Sequence, residues 1–125
     1  MTVLVDSWCW IEYFNGTKAG SKVAEYIDSD MHLFISVINL AEIYRYVLIK
    51  KTEKEANTLV HVMLSRCFIL PIEAETALNA AVINAKKKIG LGDSLIYASA
   101  KSHNLKVITG DPHFSGEKDV IYLGK

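Results

Sequence analysis

The sequence predicts an α/β fold with a central parallel sheet of four to five strands and helices on both of its faces. Short, continuous apolar runs alternate along the chain with longer segments whose apolar residues recur at helical spacing. Strands separated by helices pair in parallel through right-handed crossovers, and a parallel sheet is covered by helices on both faces.

Five runs have the length and composition of buried strands, and the last is the weakest. In chain order they span residues 3–5, 33–36, 68–71, 106–109 and 120–123. Four helices are predicted between them, over residues 38–50, 53–64, 73–88 and 93–101. Another helix follows the first strand and is rich in aromatic residues: Trp8, Trp10, Tyr13 and Phe14. We expect at least half of these rings to fill the core and some to contact a partner, since Trp and Tyr often anchor interfaces.

Length and composition favour one folded domain over residues 1–125. Half of the residues are hydrophobic, 22% are charged, and 14 basic residues balance 14 acidic ones. No apolar stretch approaches the roughly 20 residues of a membrane span, and no basic flank marks a signal peptide. We therefore expect a cytoplasmic protein.

Cys9 and Cys67 are expected to be reduced, buried residues, not a disulfide or a metal site.

Four carboxylates fall at the carboxyl ends of predicted strands or at the starts of the helices that follow. They are Asp6, Glu42, Asp93 and Asp111. Open parallel sheets bind ligands at this edge. Each acid also has a structural explanation. Asp6 fits an Asx turn, Asp93 an ordinary N-cap, Asp111 turn chemistry, and Glu42 an exposed position on an amphipathic helix.

The four acids taken together favour a metal site. Carboxylates gathered at one edge repel each other, and a divalent cation converts that repulsion into ligation. Oxygen ligands suit Mg²⁺ or Mn²⁺, and no His or Cys cluster indicates zinc. Such ions activate water as a nucleophile. In pairs, they stabilise both the attacking and the leaving oxygen of a phosphoryl displacement.

Four segments resemble the motifs of the PIN-domain family, in the family's order. They are residues 3–7 (VLVDS), 35–42 (ISVINLAE), 90–100 (GLGDSLIYASA) and 107–114 (VITGDPHF). The resemblance covers nearly the whole chain and implies a Rossmann-like sandwich that cleaves single-stranded RNA with a bound metal. It implies that the four acids are the catalytic metal ligands, directly or through water, and that Ser7 and Thr109 support them. The small size resembles VapC-type toxins, which implies a homodimer and a cognate antitoxin.

One position departs from the family pattern. Many members have a further acid where this chain has His113, so the binding of a second metal is left open. His113 either contacts phosphate or has no role.

Positive charge is needed to attract RNA. Arg45 follows Glu42 on the same helical side, and the Lys86–Lys88 run precedes the Asp93 motif. These basic residues are predicted RNA contacts.

Two other functions compete with an RNA-cleaving enzyme. A receiver-like signalling domain has a similar length, but it requires a phosphoacceptor Asp after the third strand, where this chain has Ile72 and Glu73. A PIN-like module that has lost catalysis and binds RNA or a partner would keep the same fold. Loss of activity in Asp6→Asn and Asp93→Asn variants that remain folded would separate an enzyme from such a module.

Overall fold

The structure, a computed structural model, describes residues 2–124 and contains five strands and six α-helices within them. The strands are β1 (Thr2–Val5), β2 (His32–Ser36), β3 (Cys67–Leu70), β4 (Lys106–Thr109) and β5 (Val120–Tyr122). The helices are α1 (Ser7–Asn15), α2 (Lys18–Ile27), α3 (Val37–Lys50), α4 (Glu53–Arg66), α5 (Ala74–Lys87) and α6 (Leu91–Ser102). A 3₁₀ turn, Pro112–Phe114, follows β4.

The five strands form one parallel sheet, which confirms the predicted fold class. Their order is β3-β2-β1-β4-β5, and every neighbouring pair is parallel. The chain moves from β1 toward β2 and β3, and later adds β4 and β5 on the other side of β1. A crevice therefore opens beyond the carboxyl ends of β1 and β4, where ligands bind in sheets of this kind.

Alternating residues of the central strand enter two separate cores. Val3 and Val5 pack with Trp10 and residues of α2, α3 and α4 on one face of the sheet. Leu4 packs on the other face with Ile96 of α6 and with Phe114 of the 3₁₀ turn. Because successive side chains of a strand point to opposite faces, both faces must be apolar and covered. The predicted two-sided sandwich is confirmed.

Most predicted elements lie within two residues of their observed bounds, but α2 was not predicted. Gly20 interrupts its helical pattern, and only Val23 and Ile27 among its large apolar residues are buried. Thr17 begins the helix by accepting a hydrogen bond from the Gly20 N–H at 3.0 Å. A Cβ at Gly20 would collide with the backbone of Glu12, so α2 packs closely on α1.

The cysteines and the aromatic helix agree in part with expectation. Cys9 is buried and Cys67 is half-buried, and both are free. Trp10 is fully buried, whereas Trp8, Tyr13 and Phe14 are partly buried against the same core. A partner contact for these partly exposed rings stays a prediction. Within residues 2–124, no helix has the length and apolar character to cross a membrane.

Candidate metal centre

One cavity of about 370 Å³ holds all four predicted carboxylates at the carboxyl ends of β1 and β4. It is lined by Asp6, Ser7, Trp8, Ile11, Glu42, Arg45, Asp93 and Asp111. The structure thus brings together residues as distant in the sequence as Asp6 and Asp111. The α/β topology accounts for this, since each crossover returns the chain to the same edge of the sheet.

Asp6 is the most deeply buried of the acids, with 2% of its surface exposed. Its Oδ2 accepts a hydrogen bond from the Thr109 hydroxyl at 2.7 Å, and its buried Oδ1 has no partner among the described residues. The pKa of Asp6 is raised to about 7, because burial raises it most and the charges of Asp93 and Glu42 add to the rise, while the bond from Thr109 opposes it. Asp6 occupies the N-cap position of α1, but its side chain makes no capping bond, so the Asx-turn explanation is wrong.

Glu42 is oriented by a chain of hydrogen bonds that begins at the N-terminus of its own helix. The Asn39 Oδ1 accepts from the Ser36 N–H at 2.8 Å, and the Asn39 side-chain amide donates to the Ser7 hydroxyl at 2.8 Å. The Ser7 hydroxyl then donates to Glu42 Oε1 at 2.7 Å. Glu42 is therefore a partly buried, positioned carboxylate. The sequence interpretation missed Asn39, although a Ser followed three residues later by Asn fits the capping box that the structure contains.

Asp93 lies inside the first turn of α6, because Gly90 is the N-cap and Leu91 the first helical residue. The N-cap explanation of Asp93 is therefore wrong. Burial and the neighbouring charge of Asp111 raise the pKa of Asp93, and a hydrogen bond with His113 opposes that rise. A Cβ at Gly92 would lie 2.9 Å from Glu42 Oε2, so the glycine gives Glu42 room beside α6.

Asp111 and His113 face each other across the 3₁₀ turn that follows β4. Asp111 Oδ1 accepts the His113 N–H at 2.9 Å, so the turn chemistry expected of Asp111 is present. The His113 Nδ1 also lies 3.3 Å from Asp111 Oδ1 and 3.4 Å from Asp93 Oδ2. The Thr109 hydroxyl accepts the Asp111 N–H at 3.0 Å, which links this turn to Asp6.

The acids of the cavity, together with the neighbouring His113, fit a divalent cation. Asp93, Asp111 and His113 each offer a ligand atom, and these atoms lie within 4.8 Å of one another. The buried, unpartnered Asp6 Oδ1 is a further oxygen donor, and buried polar atoms normally have partners. A donor set dominated by carboxylates matches the preference of Mg²⁺ and Mn²⁺ for oxygen.

The predicted basic residues have different surroundings. Arg45 is exposed and lines the cavity. Lys86 and Lys87 end α5, Lys88 follows them, and none of the three is among the described residues that line the cavity. The Lys87 ammonium forms an ion pair with Glu117 at 2.7 Å. RNA contacts by these lysines stay a prediction.

An apolar wall of the cavity, formed by Trp8 and Ile11, was not predicted as part of the site. A Cβ at Gly110 would overlap the Trp8 ring, so only glycine lets the indole lie against the β4–turn junction. The sequence pattern does not predict this contact between Trp8 and Gly110, because the aromatic residues of a first helix are most simply assigned to the core.

A parallel α/β sheet with an acidic, metal-compatible cavity at its carboxyl edge defines a candidate metal-dependent protein. The sequence matches the PIN domain family over residues 3–116, and the chain belongs to that family. The resemblance of the four motifs is thereby confirmed. No curated protein sequence matches the chain.

Several solved structures have a similar fold. A toxin-antitoxin complex from Klebsiella pneumoniae is 23% identical with a TM-score of 0.80, and the match covers 98% of both chains. FitAcB from Neisseria gonorrhoeae is 25% identical with a TM-score of 0.73, also over 98% of both chains. A sarcin-ricin loop cleaving toxin from Mycobacterium tuberculosis is 12% identical with a TM-score of 0.76, over 91% of this chain and 95% of that one.

Proposed function

We propose that this PIN domain is a metal-dependent endoribonuclease that hydrolyses phosphodiester bonds of single-stranded RNA. The observation that carries the proposal is the buried carboxylate of Asp6, whose unpartnered Oδ1 lies in the same cavity as three other acids. A buried, ionised carboxylate without a partner destabilises the folded protein unless a cation compensates its charge. Mg²⁺ or Mn²⁺ is the proposed ion, and Asp6, Glu42, Asp93 and Asp111 are its proposed ligands.

The protein's own residues hold and orient the ligands. Thr109 fixes one oxygen of Asp6, which leaves the other oxygen free to bind. Ser7 fixes one oxygen of Glu42 in the same way. A divalent ion bound there supplies positive charge to the phosphoryl oxygens and activates water for attack at phosphorus. Arg45, exposed on the cavity wall, offers a cation to the RNA backbone.

The same proposal extends to the biological role, a cytoplasmic toxin of a toxin–antitoxin pair. Membership of the PIN domain family and likeness to the toxin-antitoxin complex from Klebsiella pneumoniae support it. The sarcin-ricin loop cleaving toxin of the same fold supports RNA as the substrate. We propose an antitoxin protein and a second copy of the chain as partners. Exposed apolar residues on α3 and α5, among them Ile49, Leu78 and Val82, supply surface for such contacts.

Cleavage of total cellular RNA by the purified protein tests the enzymatic proposal. Cleavage is expected with Mg²⁺ or Mn²⁺ and should stop with a chelator or in the Asp93→Asn variant. Asp30→Asn is the matched control, because Asp30 is exposed and does not line the cavity. Cleavage that persists in Asp93→Asn or in chelator contradicts the proposal. Metal binding without cleavage of any RNA favours the non-catalytic PIN module.

A further inference from the structure

We propose that His113 is a nitrogen ligand of the metal centre, so that the site selects a first-row transition ion such as Mn²⁺ over Mg²⁺. The inference rests on the proposed function, because it adds a residue to the same site.

The local structure holds the imidazole beside the acids. His113 is the middle residue of the 3₁₀ turn Pro112–Phe114, and its N–H bonds to Asp111 Oδ1 at 2.9 Å. The next side chain, Phe114, is fully buried in the core and anchors the turn. The His113 side chain itself is 65% exposed, so core packing does not account for its direction toward the carboxylates.

The distances place the imidazole nitrogen where it and the two carboxylates can share one ion. The His113 Nδ1 lies 3.3 Å from Asp111 Oδ1 and 3.4 Å from Asp93 Oδ2. Without an ion, the contact with Asp93 is a hydrogen bond longer than the usual range of about 2.7–3.2 Å. Neighbouring ligands of an octahedral ion with bonds of about 2.1 Å lie about 3.0 Å apart. The nitrogen is thus within a few tenths of an ångström of the spacing that a shared ion requires.

A second observation points to a cation at this place. The Asp6 Oδ1 belongs to a side chain that is 2% exposed, and it has no hydrogen-bond partner among the described residues. Asp6 lines the same cavity as Asp93 and Asp111. Among the described lining residues, Arg45 is the cationic one, and it is exposed.

The donor set determines which ion is favoured. Mg²⁺ prefers six oxygen ligands and retains water in place of nitrogen. Imidazole nitrogen suits transition ions, and Mn²⁺ is the first-row transition ion that shares with Mg²⁺ a preference for carboxylate oxygens. The carboxylates of Asp93 and Asp111 with one imidazole, beside the buried carboxylate of Asp6, therefore favour Mn²⁺ over Mg²⁺, whereas an acid at position 113 would favour Mg²⁺.

Electron spin echo spectroscopy of the Mn²⁺-loaded protein tests the inference, because the method detects a nitrogen bound to Mn²⁺. The wild-type protein should show this nitrogen coupling, and His113→Asn should lose it. His103→Asn is the control, since His103 is exposed and its ring bonds to Ser99 and Ser102. Titration of both ions should show a ratio of Mn²⁺ to Mg²⁺ affinity that falls about tenfold in His113→Asp.

The outcomes separate the two proposals. Bound Mn²⁺ without nitrogen coupling, or coupling that survives in His113→Asn, overturns the role of His113 and leaves RNA cleavage untouched. Failure of the wild-type protein to bind Mn²⁺ at all overturns both. Nitrogen coupling in a protein that cleaves no RNA supports the role of His113 and contradicts the proposed nuclease. Melting curves of each variant confirm that the fold is retained.

Discussion

Replacing Asp6 by Asn should make the metal-free protein more stable above neutral pH while it weakens metal binding. The pKa of Asp6 is about 7 in the folded protein, compared with an ordinary value of 3.8. Between these two values the folded state keeps a proton that the unfolded state has released. The free energy of unfolding therefore falls as the pH rises through this window, and it reaches its lowest value above pH 7.

The size of the effect follows from the difference between the two pKa values. A shift of about three units at about 1.4 kcal/mol each gives an upper limit of about 4 kcal/mol. Asn cannot ionise, and its carbonyl can still accept the hydrogen bond that Thr109 donates to Asp6. We expect Asp6→Asn to gain about 2–4 kcal/mol over the wild type at pH 8, which corresponds to roughly 10 °C in Tm for a chain of this size.

Thermal and urea unfolding in chelator, from pH 4 to pH 8, measures this gain. The two proteins should have similar stability near pH 4 and diverge as the pH rises. With excess Mn²⁺ the order should reverse, because an ion that binds the folded state stabilises only the protein that holds it. Asp30→Asn, an exposed control, should change stability by less than about 0.5 kcal/mol at any pH.

Two results would refute this reasoning about Asp6. One is an Asp6→Asn variant that is no more stable than the wild type at pH 8 in chelator. The other is a difference in the free energy of unfolding between the wild type and Asp6→Asn that stays constant between pH 4 and pH 7, since the two proteins share every other acid. Either result would mean that the buried carboxylate is compensated in the folded protein without a metal.

Three further substitutions test the support of the site. Ser7→Ala removes the donor 2.7 Å from Glu42 Oε1, so calorimetric titration should show metal affinity about tenfold weaker. Gly92→Ala places a Cβ 2.9 Å from Glu42 Oε2, and it should weaken metal binding in the same titration with little change in Tm. Gly110→Ala overlaps the Trp8 ring and should lower the free energy of urea unfolding by about 1–3 kcal/mol. Unchanged metal affinity in Ser7→Ala or Gly92→Ala contradicts the contact with Glu42. An unchanged free energy of unfolding in Gly110→Ala contradicts the contact with Trp8.

The sheet and five of the six described helices could be predicted, because their apolar or aromatic patterns are strong. The helix α2 could not be placed, since it contains Gly20 and buries few large apolar side chains. Its stability comes from packing on α1, where Gly20 permits close approach. Short helices depend on tertiary contacts more than on propensity, and a local pattern does not contain those contacts.

The position of the four acids at one edge of the sheet could be predicted from the sequence, because each follows a strand or lies near the start of a helix at that edge. Their supporting residues were only partly predictable. Ser7 and Thr109 are adjacent in sequence to site positions, whereas Asn39 acts through Ser7, which lies 32 residues away along the chain. The inward direction of His113 was likewise undetermined, since a histidine in an exposed turn has many orientations of similar energy.

The sequence by itself determined the fold class and the edge of the sheet at which Asp6, Glu42, Asp93 and Asp111 lie, because both depend on local patterns and on topology. Only the tertiary structure decided that Asp6 is buried with a pKa of about 7 and that His113 faces two of the other acids. Desolvation and charge interaction depend on distances of a few ångströms. Those distances are set by the packing of segments that lie far apart along the chain.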